Sequence, residues 1–120
     1  MHVNVTIVGL DRISTSIGLA LKRYQGQPKA EHTFTIIGSD SRPAAMKAAD
    51  KAGALDNFNR SLSKALENAN LVILNTLPSE LEATYAKLGA ELRPGMVVLD
   101  LSLLKQPAVE FARRVLDRTG

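Results

Sequence analysis

The stretch TIVGLDRISTSIG, residues 6–18, holds the side chains and spacings with the clearest chemical meaning in this chain. Gly9 ends an apolar run, and Asp11 and Ser14 stand where a phosphate-cradling G-x-G-x-x-G turn would carry its second and third glycines. In such a turn the first glycine lets the chain leave a strand sharply. The second lets backbone amides reach a diphosphate, and the third lets a helix lie close to the strand. Gly9 keeps the first property, and serine at 14 is small enough to cost little. Aspartate at 11 is the large change. A carboxylate about 4 Å from a phosphate charge costs ~4 kcal/mol at an effective dielectric of about 20 and ~1 kcal/mol in bulk water. That range corresponds to roughly fivefold to a thousandfold in affinity. Aspartate is also among the best helix N-caps, its charge matched to the positive end of the helix dipole. Asp11 therefore reads as a built-in anion placed where a bound one is expected. Arg12 has two readings: folded over the crevice to neutralise Asp11 and hold a phosphate, or turned to solvent.

The elements that must position these residues alternate strand and helix. Residues 3–8, VNVTIV, are β-branched and apolar, as a strand requires. A helix is predicted over 12–24, with Ile13, Ile17, Ala20, Leu21 and Tyr24 along one stripe. HTFTIIG at 32–38 is a second strand. SDSRPAAMKAADKAG then has Pro43 suited to a first helical turn and Gly53 suited to a left-handed stop. A faint third strand is predicted near 54–58 and a short helix from Ser61. LVILN (71–75) and MVVLD (96–100) are continuous apolar runs, the pattern of parallel strands covered on both faces. Between them Ser79 and Glu82 have capping-box spacing, ahead of a helix with Leu81, Tyr85, Leu88 and Leu92 inward. A last helix is predicted from Pro107, packing Ala108, Phe111 and Val115. Strand and helix thus recur five times, and right-handed crossovers give an α/β, doubly wound parallel sheet, Rossmann-like, in the order 3-2-1-4-5, without the final strands. Residues 1–120 read as one such domain, with no substrate domain.

In sheets of this kind ligands bind beyond the carboxyl ends of the strands, where the strand order reverses. The segments converging there are Gly9, Leu10, Asp11, Arg12 and Ile13 after the first strand, and Asp40, Ser41 and Arg42 after the second. Asn75, Thr76, Leu77 and Pro78 end the fourth strand, and the turn from Asp100 to Lys105 ends the fifth. Asp40 has the chemistry to accept hydrogen bonds from adenosine ribose hydroxyls, as NAD requires. Arg42 has the charge to neutralise the 2′-phosphate of NADP or to stack on adenine. The competing reading gives Asp40 or Ser41 the plainer task of capping the helix that contains Pro43. NAD against NADP stays open.

Composition narrows the remaining classes. With 45% apolar and 22% charged residues in 120, the chain has the make-up of a globular domain. The net charge of +3 is dispersed, and two tyrosines, three phenylalanines and no tryptophan offer little surface for stacking bases, which argues against nucleic acid as partner. No apolar run approaches the ~18 residues of a membrane span. The opening MHVNVTIVGL lacks the pattern of a secretory signal. The absence of cysteine excludes disulfides and thiolate metal sites and fits a reducing, cytoplasmic setting. His2 and His32 precede the first and second strands, which puts them at the opposite edge of the sheet from the crevice.

VTIVGLDRISTSIGLALKR, IIGSDSRPAAMKAADKAGALD, ALENANLVILNTLP and LRPGMVVLDLSLLK together resemble the N-terminal nucleotide-binding domain of prephenate dehydrogenases. These belong to a wider group of Rossmann oxidoreductases that includes the deazaflavin-dependent NADP reductases. The resemblance implies a dinucleotide, NAD or NADP, bound at Gly9, Arg12 and Asp40, with Thr76 to Pro78 on the nicotinamide side. Departures at Asp11 and Ser14 imply weakened affinity. The family pattern D-x-x-S-x-K after the fifth strand is matched by Asp100 and Lys105. Its serine falls one place early, at Ser102, which the resemblance sets near nicotinamide or substrate. The family's catalytic histidine, in a His-Pro motif beyond a further strand, has no counterpart here, so no catalytic residue is assigned. Two readings follow: the cofactor domain of a prephenate-dehydrogenase-like oxidoreductase, not catalytically complete as given, or a non-catalytic Rossmann scaffold acting as sensor or assembly module. The open edge of the fifth strand makes pairing with a second copy an expectation of either.

Overall fold

The computed structural model describes residues 1–76 and 78–101. Five strands form one parallel sheet: β1 (His2–Val8), β2 (Thr33–Ser39), β3 (Asn57–Phe58), β4 (Leu71–Leu74) and β5 (Val97–Asp100). Their order is β3-β2-β1-β4-β5, as the alternation of elements implied. The reversal lies between β1 and its neighbours: the chain moves outward from β1 through β2 to β3, then returns to the other side of β1 for β4. Four helices connect the strands: α1 (Arg12–Gln25), α2 (Pro43–Lys51), α3 (Leu62–Ala65) and α4 (Leu81–Glu91). Among the described residues, no helix is long and apolar enough to cross a membrane.

Alternation along each strand divides the core in two. Val5, Ile7, Ile36 and Ile73 point to one face, where they pack with Leu10, Met46, Ala49, Ala54 and Leu55 beneath α1 and α2. Val8, Val72 and Leu74 point to the other, against Leu66, Ala69, Tyr85 and Leu88 of the α3–α4 layer. Between 71 and 74 the buried sequence LVIL serves both faces, which is why it carries no polar alternation.

Several expectations shift on folding. The inward face of α1 is Ser14, Ile17, Gly18 and Leu21, while Ile13 is 62% exposed and Ala20 lies on the surface. The helix rolls toward its small residues because close approach outweighs the width of the apolar stripe: a Cβ at Gly18 would stand 2.7 Å from the carbonyl oxygen of Ala54. The Ser79–Glu82 capping box does not form. Pro78–Glu80 make a 3-10 turn, and Glu80 holds the N-cap position of α4 without a side-chain cap. Among the described residues β5 is covered on one face only, since Val97 is 61% and Leu99 45% exposed. The helix predicted from Pro107, together with Leu77, Ser102 and Lys105, lies outside the described residues.

Candidate functional site

The turn from β1 into α1 is built by Gly9. Its φ of +89° is a left-handed conformation that favours glycine, and an added Cβ would stand 2.0 Å from the carbonyl oxygen of Asn75. The turn thus lies against the backbone at the end of β4. Its amide donates to the carbonyl of Ser39 at 2.8 Å, which ties it to the end of β2 as well.

Asp11 is the N-cap of α1. Its Oδ1 accepts from the amides of Ile13 at 2.8 Å and Ser14 at 3.0 Å. Ser14 completes a capping box, its Oγ accepting from the Asp11 amide at 3.0 Å and donating to the Gly9 carbonyl at 2.8 Å. Ser14 is fully buried by this arrangement. Two donors that a diphosphate would seek at a helix N-terminus are therefore already held by a carboxylate of the chain itself. Partial burial works against the charge on Asp11, but the Ser14 and Ile13 amides outweigh it and set the pKa below the ordinary carboxylate value. The Asn75 carboxamide favours the charged form too, although its buried Nδ2 makes no hydrogen bond of its own.

At the end of β2, Asp40 is held from all sides. Oδ2 accepts from the Leu10 amide at 2.8 Å and from Arg42 Nη2 at 2.8 Å. Oδ1 accepts from the Arg42 amide and from Arg42 Nε, each at 2.9 Å. Burial favours the neutral acid. The fork of Arg42 and the two amides reverse that preference and hold the carboxyl below its usual range. Arg42 Nη2 also donates to the Leu10 carbonyl at 3.1 Å, so the pair ties the loops after β1 and β2 together. Neither Asp40 nor Ser41 is the N-cap of α2. Arg42 occupies that position without a side-chain cap, and Pro43 fills the first turn.

These loops bound a cleft of about 280 Å³ lying over the ends of β1, β2 and β4 on the α3–α4 side. Gly9, Asp40, Ser41, Arg42 and Thr76 line it, as sequence reasoning placed them. Leu10 is buried, and its backbone amide donates to Asp40 in the cleft wall. Asp11 and Arg12 are both exposed and border a second groove, between α1 and α2, with Thr15, Ala45 and Ala48. Exposed Ile13 projects from the first turn of α1. Pro78 opens the 3-10 turn after β4, and Asp100 is buried at the end of β5, where it accepts from the Tyr85 hydroxyl. His2, hydrogen-bonded to Thr33 and Thr35, stands at the opposite edge, with His32 stacked on Tyr24.

Asn75 lines the cleft as well, and sequence reasoning missed Arg60, Leu62, Glu80 and Lys87 in its wall. Their only signal was position, since each follows or faces the carboxyl end of a strand without belonging to a motif. Glu80 accepts from Ser41 Oγ at 2.9 Å, a bond that joins the loops after β2 and β4 across the mouth. The buried polar atoms Asn75 Nδ2 and Thr76 Oγ1 have no hydrogen-bond partner. Unpartnered buried donors are costly in a folded chain, and in a cleft they mark where a polar ligand fits. Among the described residues no group of three or more histidine or acidic side chains gathers in a metal-binding arrangement.

A parallel doubly wound sheet, a left-handed glycine turn and a polar cleft at the reversal point define the class: a Rossmann-type domain with its ligand crevice at the carboxyl edge. Comparison with known proteins narrows this. The family model for the nucleotide-binding domain of prephenate dehydrogenase matches residues 17–120, and the chain belongs to that family. A prephenate dehydrogenase of Lactococcus lactis subsp. cremoris is 31% identical over 117 residues, covering 96% of this chain and 30% of that protein. The structure of an arogenate dehydrogenase from Synechocystis is 25% identical, with a TM-score of 0.76 over 93% of this chain and 37% of that one. A prephenate dehydrogenase from A. aeolicus, solved in complex with hydroxyphenyl propionate and NAD+, shares the fold at 24% identity and a TM-score of 0.78, over 94% of this chain and 38% of that one. The chain spans about a third of the length of these relatives.

Proposed function

We propose that this chain is the coenzyme-holding domain of a prephenate-dehydrogenase-like oxidoreductase, taking NAD or NADP with an affinity reduced by Asp11. One observation carries the reading. The cleft at the point of strand reversal contains a glycine turn that no Cβ would fit and two buried polar atoms that lack partners. That is the environment a dinucleotide needs: a backbone cradle for the diphosphate and donors beside it. In this reading Gly9 and the start of α1 serve the diphosphate and Asp40 to Arg42 the adenosine ribose, while Thr76, Leu77 and Pro78 keep the nicotinamide role that the resemblance gives them. Exposed Ile13 offers an apolar surface to the ring, and the family resemblance assigns Ser102, outside the described residues, to the nicotinamide or substrate. Arg12, exposed one residue after the cap, has the reach to neutralise Asp11 or a phosphate. A bound nicotinamide supplies the hydride chemistry. This chain's own residues bind and orient it, and no substrate-binding or acid–base role is assigned to the described residues.

The reading is tested by titrating the chain with NADH and NADPH, following nicotinamide fluorescence, and repeating the titration on Asp11→Gly. Weak binding by the native chain and a gain of at least tenfold in the variant, ~1.4 kcal/mol, are expected. Failure of both nucleotides to bind either form would refute it.

A second reading draws on the same capping box. With the Ile13 and Ser14 amides satisfied internally, the fold is complete without a ligand, as a non-catalytic sensor or assembly module would be. Self-association through β5 belongs to both readings. Among the described residues β5 pairs with β4 alone, and Val97 and Leu99 are exposed beside that edge. Sedimentation showing monomer alone at high concentration would exclude it. The lack of cysteine is compatible with a reducing, cytoplasmic setting under either reading.

A further inference from the structure

The adenosine end of the cleft is not arranged as an acceptor for ribose hydroxyls. An ionised carboxylate offers about four lone-pair positions. On Asp40 the chain fills four of them, from the Leu10 amide, the Arg42 amide, Arg42 Nε and Arg42 Nη2. A ribose 2′-hydroxyl that donated to Asp40 would have to displace one of these bonds, and the fork of Arg42 is the strongest kind of pairing available to a carboxylate. The other acid of the cleft, Glu80, has Oε1 taken by Ser41.

The donors are in the opposite condition. The Arg42 fork uses Nε and Nη2, and among the described residues Nη1 has no acceptor, while the side chain is 49% exposed toward the cleft. Arg60 and Lys87 line the same cleft, and among the described residues neither makes an ion pair or a side-chain hydrogen bond. Three cations thus stand against two carboxylates, one of them already neutralised by Arg42. Buried Thr76 Oγ1, without a hydrogen-bond partner among the described residues, adds a donor to this wall.

Resting on the dinucleotide reading above, we propose that this cleft selects a 2′-phosphorylated adenosine, with Arg42 Nη1 and Arg60 as the groups that recognise the phosphate. Arg42 serves twice. Its fork cancels the negative charge of Asp40, which would otherwise repel a 2′-phosphate, and its outer edge supplies two N–H donors to the phosphate oxygens. Arg60 adds charge from the opposite wall. Glu80 opposes the anion and limits the gain.

The test compares adenosine 2′,5′-bisphosphate with adenosine 5′-monophosphate by calorimetry on the whole chain at low salt. These probes differ only in the 2′ group and carry the same 5′-phosphate, so any repulsion from Asp11 cancels in the comparison. The bisphosphate is expected to bind at least tenfold tighter, and Arg60→Ala, an exposed change that breaks no hydrogen bond among the described residues, is expected to reduce that preference to threefold or less. Arg42→Ala is expected to remove the preference, because the charge of Asp40 is then uncompensated and its oxygens are free to accept from a ribose hydroxyl. Equal affinities in the native chain, or a preference unmoved by Arg60→Ala, would overturn the selectivity while leaving the dinucleotide reading in place. If neither probe binds and NADPH also fails to bind Asp11→Gly, the dinucleotide reading itself falls and the selectivity with it.

Discussion

Asp11 acts in two separable ways, and an isosteric substitution distinguishes them. Its charge repels a diphosphate, and its Oδ1 occupies the Ile13 and Ser14 amides at 2.8 and 3.0 Å. Asp11→Asn keeps an oxygen in reach of both amides and removes the charge. Asp11→Gly removes both. If repulsion dominates, Asn recovers most of the binding. For an exposed carboxylate about 4 Å from a phosphate, a range of ~1 to ~4 kcal/mol applies, and the exposure of Asp11 favours the lower end. At ~1.4 kcal/mol per decade this is roughly a fivefold gain. If occupation of the amides dominates, Asn gains about twofold or less and only Gly reaches tenfold. Stability moves the other way: loss of an N-cap costs about 0.5–2 kcal/mol when alanine replaces it and a few tenths when glycine does. The Ser14 hydroxyl remains on the Gly9 carbonyl and the residue-11 amide, so the fold should survive. NADPH titration and thermal melts of the three proteins, each at low and high salt, supply both measurements. If Asn and Gly bind no more tightly than the native chain, and their melting points are unchanged, then Asp11 neither screens the turn nor caps the helix, and the reasoning fails at its base.

Other outcomes follow from the same geometry. Gly9→Ala forces a Cβ toward the Asn75 carbonyl and a strained positive φ, so the variant should lose at least ~2 kcal/mol; denaturant unfolding that matched the native curve would refute the close approach. The pKa values of Asp40, Asp11 and Asp56 are lowered in the folded chain, so their contribution is complete above the unfolded carboxylate value of about 3.9 and is lost as pH falls through the folded values. Melting temperature should therefore drop below pH 4, and less steeply in Arg42→Ala; parallel profiles would show that Arg42 does not hold Asp40 ionised. Val97→Thr together with Leu99→Thr should weaken any self-association seen by sedimentation without lowering stability, since both side chains are already exposed.

The parallel doubly wound sheet, its strand order and the place of the crevice were legible in the sequence. Continuous apolar runs at 71–75 and 96–100 and the regular alternation of elements leave few right-handed arrangements. Asp11 as an N-cap was legible too, because a cap is a local property of three or four residues. Side-chain partnerships across the fold were not. That α1 would turn Gly18 inward and leave Ile13 exposed depended on how closely it could approach Ala54, a residue 36 positions away. Arg42 sits two residues from Asp40, and either side chain alone fits several roles. Only the folded loops decided that the two would close on each other and on Leu10, leaving Arg60, Lys87 and Thr76 to face the cleft. Periodicity and capping are written in neighbouring residues. The pairing of charges is decided by which loops the sheet brings to one edge, and that is settled only when the strands have taken their places.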